Sequence, residues 1–176
     1  MAVFSDSLIL TIIGPDRPGL VADLSLALKE CGGNWVESRL IRLGGQFAGV
    51  VRMSVAAEQR ESLLQRLAKL EQEGYQLTYQ EGEKGSDAET GQTVVSLEVM
   101  GADHPGIVEA ITSTLAAHRI NIAEITTGIV SAPMSGEPLF QAKADLLLPP
   151  SCDLQALRGE LESIAADLMV DLNFAR

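Results

Sequence analysis

Apolar residues recur along this chain with two periods, and the two periods alternate in the same order twice. Residues 8–13 form a short apolar run, while Val95, Leu97 and Val99 alternate with Ser96 and Glu98. Both segments predict strands. Leu20, Val21, Leu24, Ala27, Leu28 and Cys31 then recur at helical spacing, as do Ile107, Val108, Ile111 and Leu115. An amphipathic helix is therefore expected after each strand. Gly32-Gly33 predicts a left-handed end to the first of these helices. Residues 34–43 and 47–55 read as strands around the hairpin signal Gly44-Gly45. Their counterparts are 121–130 and 139–148, joined by the longer segment 131–138. Leu63, Leu64, Leu67 and Leu70 predict a second helix, as do Leu154, Leu157, Leu161, Ile164 and Leu168. Final strands are expected at 75–79 and 169–174. The order is βαββαβ, twice. That predicts an α+β fold: two ferredoxin-like units in tandem, each an antiparallel sheet with its helices on one face.

Residue identities repeat with the pattern. Gly14-Pro15-Asp16-Arg17-Pro18-Gly19-Leu20-Val21 returns 87 positions later as Gly101-Ala102-Asp103-His104-Pro105-Gly106-Ile107-Val108. The same offset relates Leu28 to Leu115, Asn34 to Asn121 and Glu37 to Glu124. Glycine, proline, aspartate and asparagine have positional roles, so the repeat is not coincidence. Residues 84–92 are small and polar without periodicity, which reads as a linker. The expected organisation is a first unit at 1–83, a linker at 84–92 and a second unit at 93–176.

Charge narrows the functional classes. With 24 acidic and 13 basic residues among 176, the net charge is −11. Polyphosphate repels such a chain, so direct nucleic-acid binding is not expected, nor is attraction to an anionic membrane. No apolar run approaches the roughly 18 residues of a membrane span, and residues 1–7 lack the basic start of a secretory signal. Cys31 and Cys152 stand far apart in no metal-ligand spacing. A soluble, reducing, cytoplasmic setting is the expectation. The first unit carries −3 and the second −7, so the second contributes most of the repulsion toward DNA.

The candidate chemistry lies in the repeated loop between first strand and first helix. Proline just inside a helix sacrifices an amide that would be orphaned anyway, and the adjacent glycine lets a ligand approach the backbone. Free amides there suit a small anion or carboxylate. Asp16 and Asp103 are placed to cap loop amides or accept from an amine. Asn34 and Asn121, read as lying across the same end of the sheet, offer amide donors and acceptors. The candidate binding residues are therefore Gly14, Asp16, Arg17, Pro18, Gly19 and Asn34, with Gly101, Asp103, His104, Pro105, Gly106 and Asn121. The same Asp-x-Pro-Gly is also simply good turn chemistry.

Other chemistry is sparse. No nucleophile elbow, phosphate loop or paired-histidine zinc motif occurs, and neither histidine has a sequence partner for a triad. No cofactor, metal or catalytic set is expected. His118 reads as a helix-end residue and Cys31 as a small buried hydrophobe. Cys152 stands near a helix start, where a thiol pKa can fall, but with no base in view it reads as structural. Arg39, Arg42 and Arg52 lie on the first central hairpin, a solvated face by default and the best place on an acidic chain to receive an acidic partner.

The segments D-R-P-G-L-V and D-H-P-G-I-V, each followed by Asn at the next strand, resemble the signature of ACT domains, small regulatory modules that bind amino acids. The double copy, the acidic character, residues 42–48 and residues 136–141 are similar to the glycine cleavage system transcriptional repressor family. Formyltetrahydrofolate deformylases and uridylyltransferase sensors carry similar modules beside a large enzyme domain, for which 176 residues leave no room. The resemblance implies a non-enzymatic, amino-acid-responsive negative regulator. Its implied ligand is glycine, and its implied partner is a DNA-binding activator of the glycine cleavage genes. An alternative is a stand-alone amino-acid-binding module serving a metabolic enzyme, and a third is a small enzyme using Asp103 and His104. Uncovered sheet edges and faces make a homodimer an expectation. The second copy departs from the first at His104 for Arg17 and Ala102 for Pro15, so the two loops need not bind equally.

Overall fold

The computed structural model describes residues 6–82, 91–132 and 136–175. It divides into two compact units, residues 1–87 and 88–176. Of the expected linker only Gly91 and Gln92 fall among the described residues. Residues 1–5 of the amino-terminal segment and 133–135 of the long connection lie outside them.

In the first unit the order is β1 (Asp6–Pro15), α1 (Leu20–Glu30), β2 (Asn34–Leu43), β3 (Gln46–Val55), α2 (Ala57–Gln72) and β4 (Gln76–Glu81). The second repeats it: β5 (Thr93–Ala102), α3 (Ile107–Ala117), β6 (Asn121–Ser131), β7 (Pro138–Leu148), α4 (Leu154–Asp167) and β8 (Val170–Ala175). Strand orders are β2-β3-β1-β4 and β6-β7-β5-β8, all neighbours antiparallel. This is the ferredoxin-like arrangement expected from the periodicity, with both helices of each unit against one face of its sheet.

Alternation along the strands explains which face is covered. In β1, Leu8, Leu10 and Ile12 are buried against Leu20, Leu24 and Leu28 of α1 and Leu63 and Leu67 of α2. In β5, Leu97 and Val99 pack with Ile107, Ile111 and Leu115 of α3 and Leu157 and Leu161 of α4. Residues of opposite parity, Thr11 and Val50 in one sheet and Glu98 and Met100 in the other, face away from the helices and are exposed.

Gly44 and Gly45, at φ 58° and 78°, form the two-residue turn between paired Leu43 and Gln46, the positive-φ geometry that matches strand twist. Gly32, at φ 66°, ends α1 as expected, with the Gly33 N–H donating to the Leu28 carbonyl at 3.0 Å. A feature without sequence signal also repeats. The register slips by one residue between Trp35 and Glu37, and again between Ile122 and Glu124, so each edge strand carries a bulge at the same place.

Candidate functional site

The repeated loops connect β1 to α1 and β5 to α3. The helices begin two residues later than the proline reading supposed, at Leu20 and Ile107. Gly19 and Gly106 are the N-caps, at φ 94° and 100°, a left-handed conformation that glycine adopts without strain. Pro18 and Pro105 therefore stand outside the helices, in the turn. Neither cap has a side-chain hydrogen bond, so Asp16 and Asp103 do not cap. The aspartates do something else, and differently in each unit.

In the first unit Asp16 pairs with Arg42 of β2, Oδ2 to Nε 2.6 Å. The two-glycine turn delivers that arginine: it brings the end of β2 beside the loop, and the Asp16 N–H reaches the Gly45 carbonyl at 3.4 Å. Arg42 stays on the solvated hairpin, 72% exposed, but is paired there with the loop aspartate. Arg17 points the other way, bonding Asp23 of α1 at 3.0 Å and the carboxylate of Glu73, the C-cap of α2. Its guanidinium lies 5.6 Å from the centre of the Tyr75 ring. Burial acts to lower the Arg17 pKa, but the bond to Asp23 and the charge of Glu73 outweigh it and hold the pKa up. Tyr75 also fills the space under Gly14, where any Cβ would collide with its ring. That packing accounts for Gly14.

In the second unit His104 replaces Arg17 but keeps its task. Nε2 lies 2.8 Å from the carbonyl of Leu168, the C-cap of α4, and Nδ1 lies 3.1 Å from the Pro105 carbonyl. Those two carbonyls, Leu168 first, raise the His104 pKa, helped by the charge of Asp103 and opposed by burial. In both units a basic loop side chain thus ties the first loop to the end of the second helix. Gly101 is closed over by Val170 and Met169 as Gly14 is by Tyr75. Position 129, the counterpart of Arg42, is isoleucine: Arg42 and Ile129 each pair across the sheet with a phenylalanine, Phe47 and Phe140, that also faces the repeated glycine.

Asn34 and Asn121 do not join these loops. Asn34 is in register with Ser54, which pairs with Ser7 at the start of β1, whereas the loop follows Pro15 at its end. Nine residues of extended strand, roughly 30 Å, separate the two ends. Asn121, paired with Leu147, lies equally far from the 103–106 loop. No molecule the size of an amino acid spans both places within a unit.

The remaining candidates settle into structural roles. Cys31 is buried, 3% exposed. The Cys152 thiol is pushed up, not down, by burial and by the charge of Asp153, the N-cap of α4. His118 is the C-cap of α3, and its Nε2 meets Glu160 Oε2 at 2.7 Å. Arg39 lies 3.8 Å from Glu37. Among the described residues no cluster of three metal-ligating side chains occurs, and no helix is long and apolar enough to cross a membrane.

The model of the family described as "ACT domain" matches residues 6–80 and 93–175. Glycine cleavage system transcriptional repressors of Escherichia coli strain K12 and Shigella flexneri are each 26% identical over 164 residues, 92% of this chain and 85% of the relative. The crystal structure of an unknown protein from Galdieria sulphuraria is 30% identical, with a TM-score of 0.80 and 97% of both chains covered. A second solved structure, provisionally named a glycine cleavage system transcriptional repressor, shares the fold at 22% identity and a TM-score of 0.69, with 98% of both chains covered.

Proposed function

The chain belongs to the ACT domain family in both of its units, and on that premise we propose that it is a non-enzymatic regulatory protein responsive to a small amino acid. Glycine is the first ligand to test. The carrying observation is the likeness to a glycine cleavage system transcriptional repressor over 92% of the chain, spanning both units.

The chemistry of the loops supports this reading. Each presents an aspartate, a backbone opened by glycine and a helix start without a side-chain cap, a set suited to an ammonium and a carboxylate. The ligand residues proposed are Asp16, Arg17, Pro18 and Gly19 with Gly14, and Asp103, His104, Pro105 and Gly106 with Gly101.

The net charge of −11 opposes direct contact with DNA. Repression then runs through a protein that holds the DNA, a transcriptional activator, in the cytoplasm. The ligand acts by linkage: it shifts the balance between partner-bound and free chain by its difference in affinity for the two.

Calorimetric titration with glycine, serine and alanine tests the sensor, and heat from at least one is expected. Absence of binding by all three would refute it. Affinity capture from the native cytoplasm tests the partner: a DNA-binding activator is expected, and recovery of a metabolic enzyme alone would replace the repressor reading with an enzyme-regulating module.

A further inference from the structure

We infer that the two loops are not equivalent binding sites: Arg42 occupies the cation position at Asp16, so the first loop is self-occupied and ligand binding falls to Asp103 in the second. The inference deepens the amino-acid-sensor reading and rests on it.

Three differences between the units carry it. Asp16 already holds a cation, the Arg42 guanidinium at 2.6 Å. A ligand ammonium seeking that carboxylate must displace Arg42 and accept its positive charge nearby. The second unit has Ile129 at this register position, so no internal cation can reach Asp103 from the same strand. The backbone differs as well. The Asp16 N–H is bonded to Gly45 of the short turn, whereas in the second unit the Ala132 N–H donates to the Glu137 carbonyl at 2.9 Å and the Gly136 N–H to the Ala132 carbonyl at 3.0 Å. Among the described residues no side chain hydrogen-bonds or ion-pairs with Asp103, whose charge helps to raise the pKa of neighbouring His104.

Arg42 remains well exposed, so the seal is a competitor, not a wall. A solvent-exposed pair of this kind lowers affinity by up to about fivefold. Arg42→Ile gives the first unit the residue of the second, and Arg42→Gln removes the charge while keeping the length.

The test is glycine, serine and alanine titration of the full chain, read by calorimetry and by the amide signals of Gly19 and Gly106. Wild type should bind first and most tightly at Gly106, and Asp103→Asn should abolish that step. In the Asp103→Asn background, adding Arg42→Ile or Arg42→Gln should tighten binding at Gly19 by up to about fivefold. Equal affinity at both loops, or loss of the tight step in Asp16→Asn instead, overturns the inference and leaves the sensor standing. So does weaker binding after Arg42 replacement, which would make Arg42 a ligand contact. No binding by any of the three amino acids overturns the sensor, and this inference with it.

Discussion

The hydroxyl of Tyr75 donates to the carbonyl oxygen of Pro15 at 2.7 Å, across 60 residues of chain. The same ring lies under Gly14 and beneath the Arg17 guanidinium, so one buried side chain fixes the backbone of the first loop to the end of α2. Tyr75→Phe removes one hydrogen bond and should cost about 1 kcal/mol. Tyr75→Ala also empties a core position and should cost about 3–5 kcal/mol. Gly14→Ala pushes into the ring and should cost about 1–3 kcal/mol. Urea unfolding checks all three: the midpoint should fall least for Tyr75→Phe, more for Gly14→Ala and most for Tyr75→Ala.

His104 makes the stability of the second unit depend on pH. A neutral imidazole has one N–H and can satisfy one of its two facing carbonyls; the imidazolium donates to both. The folded pKa accordingly lies above the unfolded value of about 6.5. The contribution is full below about pH 6.5 and disappears as pH rises through the folded value. The urea midpoint of wild type should exceed that of His104→Gln at pH 5.5, and the gap should narrow as pH rises through the folded value. A constant gap would mean that the ring acts by packing alone.

Helix ends distinguish the two units by conformational strain. In the first unit Gly32 and Gly74 take the left-handed positions after α1 and α2. In the second, Arg119 and Met169 do so, at φ 57° and 52°. A side chain there costs about 1–2 kcal/mol, partly offset by the chain entropy glycine would lose on folding. Met169 is 78% exposed and has little packing to lose. Met169→Gly should therefore stabilise by about 0.5–1 kcal/mol, and Gly74→Ala should destabilise by a similar amount. Thermal melts of the two variants should move in opposite directions.

Apolar periods of 2 and 3.6, together with apolar runs and turn signals, locate every strand and helix among the described residues, because burial against a single covered sheet face imposes such patterns locally. The tie from Arg17 to Glu73 and that from His104 to Leu168 were not legible: they join residues 56 and 64 positions apart, and nothing local announces them. The bulges were equally silent, since Val36 and Ala123 look like ordinary strand residues. Asn34 was misplaced for a different reason. A helix that crosses back over the sheet starts the next strand at the end where the first began, so proximity to the helix end put Asn34 far from the loop. Arg42 is solvated, as its place on the hairpin predicts, but charge alone carries no direction, and its pairing with Asp16 follows only from the two-glycine turn.

Tyr79 of β4 has a buried hydroxyl with no hydrogen-bond partner among the described residues. Burial, and then the charge of Glu71, push its phenol up to about 12. The neutral phenol is the form the fold favours. Its contribution is complete below about pH 10, the ordinary value, and is lost as pH rises through about 12. Only two tyrosines are present, so absorbance at alkaline pH can separate them by variant. Subtracting the Tyr79→Phe titration from that of wild type should leave a single step near pH 12. Because the substitution removes an unsatisfied buried oxygen without opening a cavity, it should leave stability unchanged or raise it by up to about 1 kcal/mol. A difference step near pH 10, or a loss of more than 1 kcal/mol, would show that the hydroxyl reaches solvent or a partner.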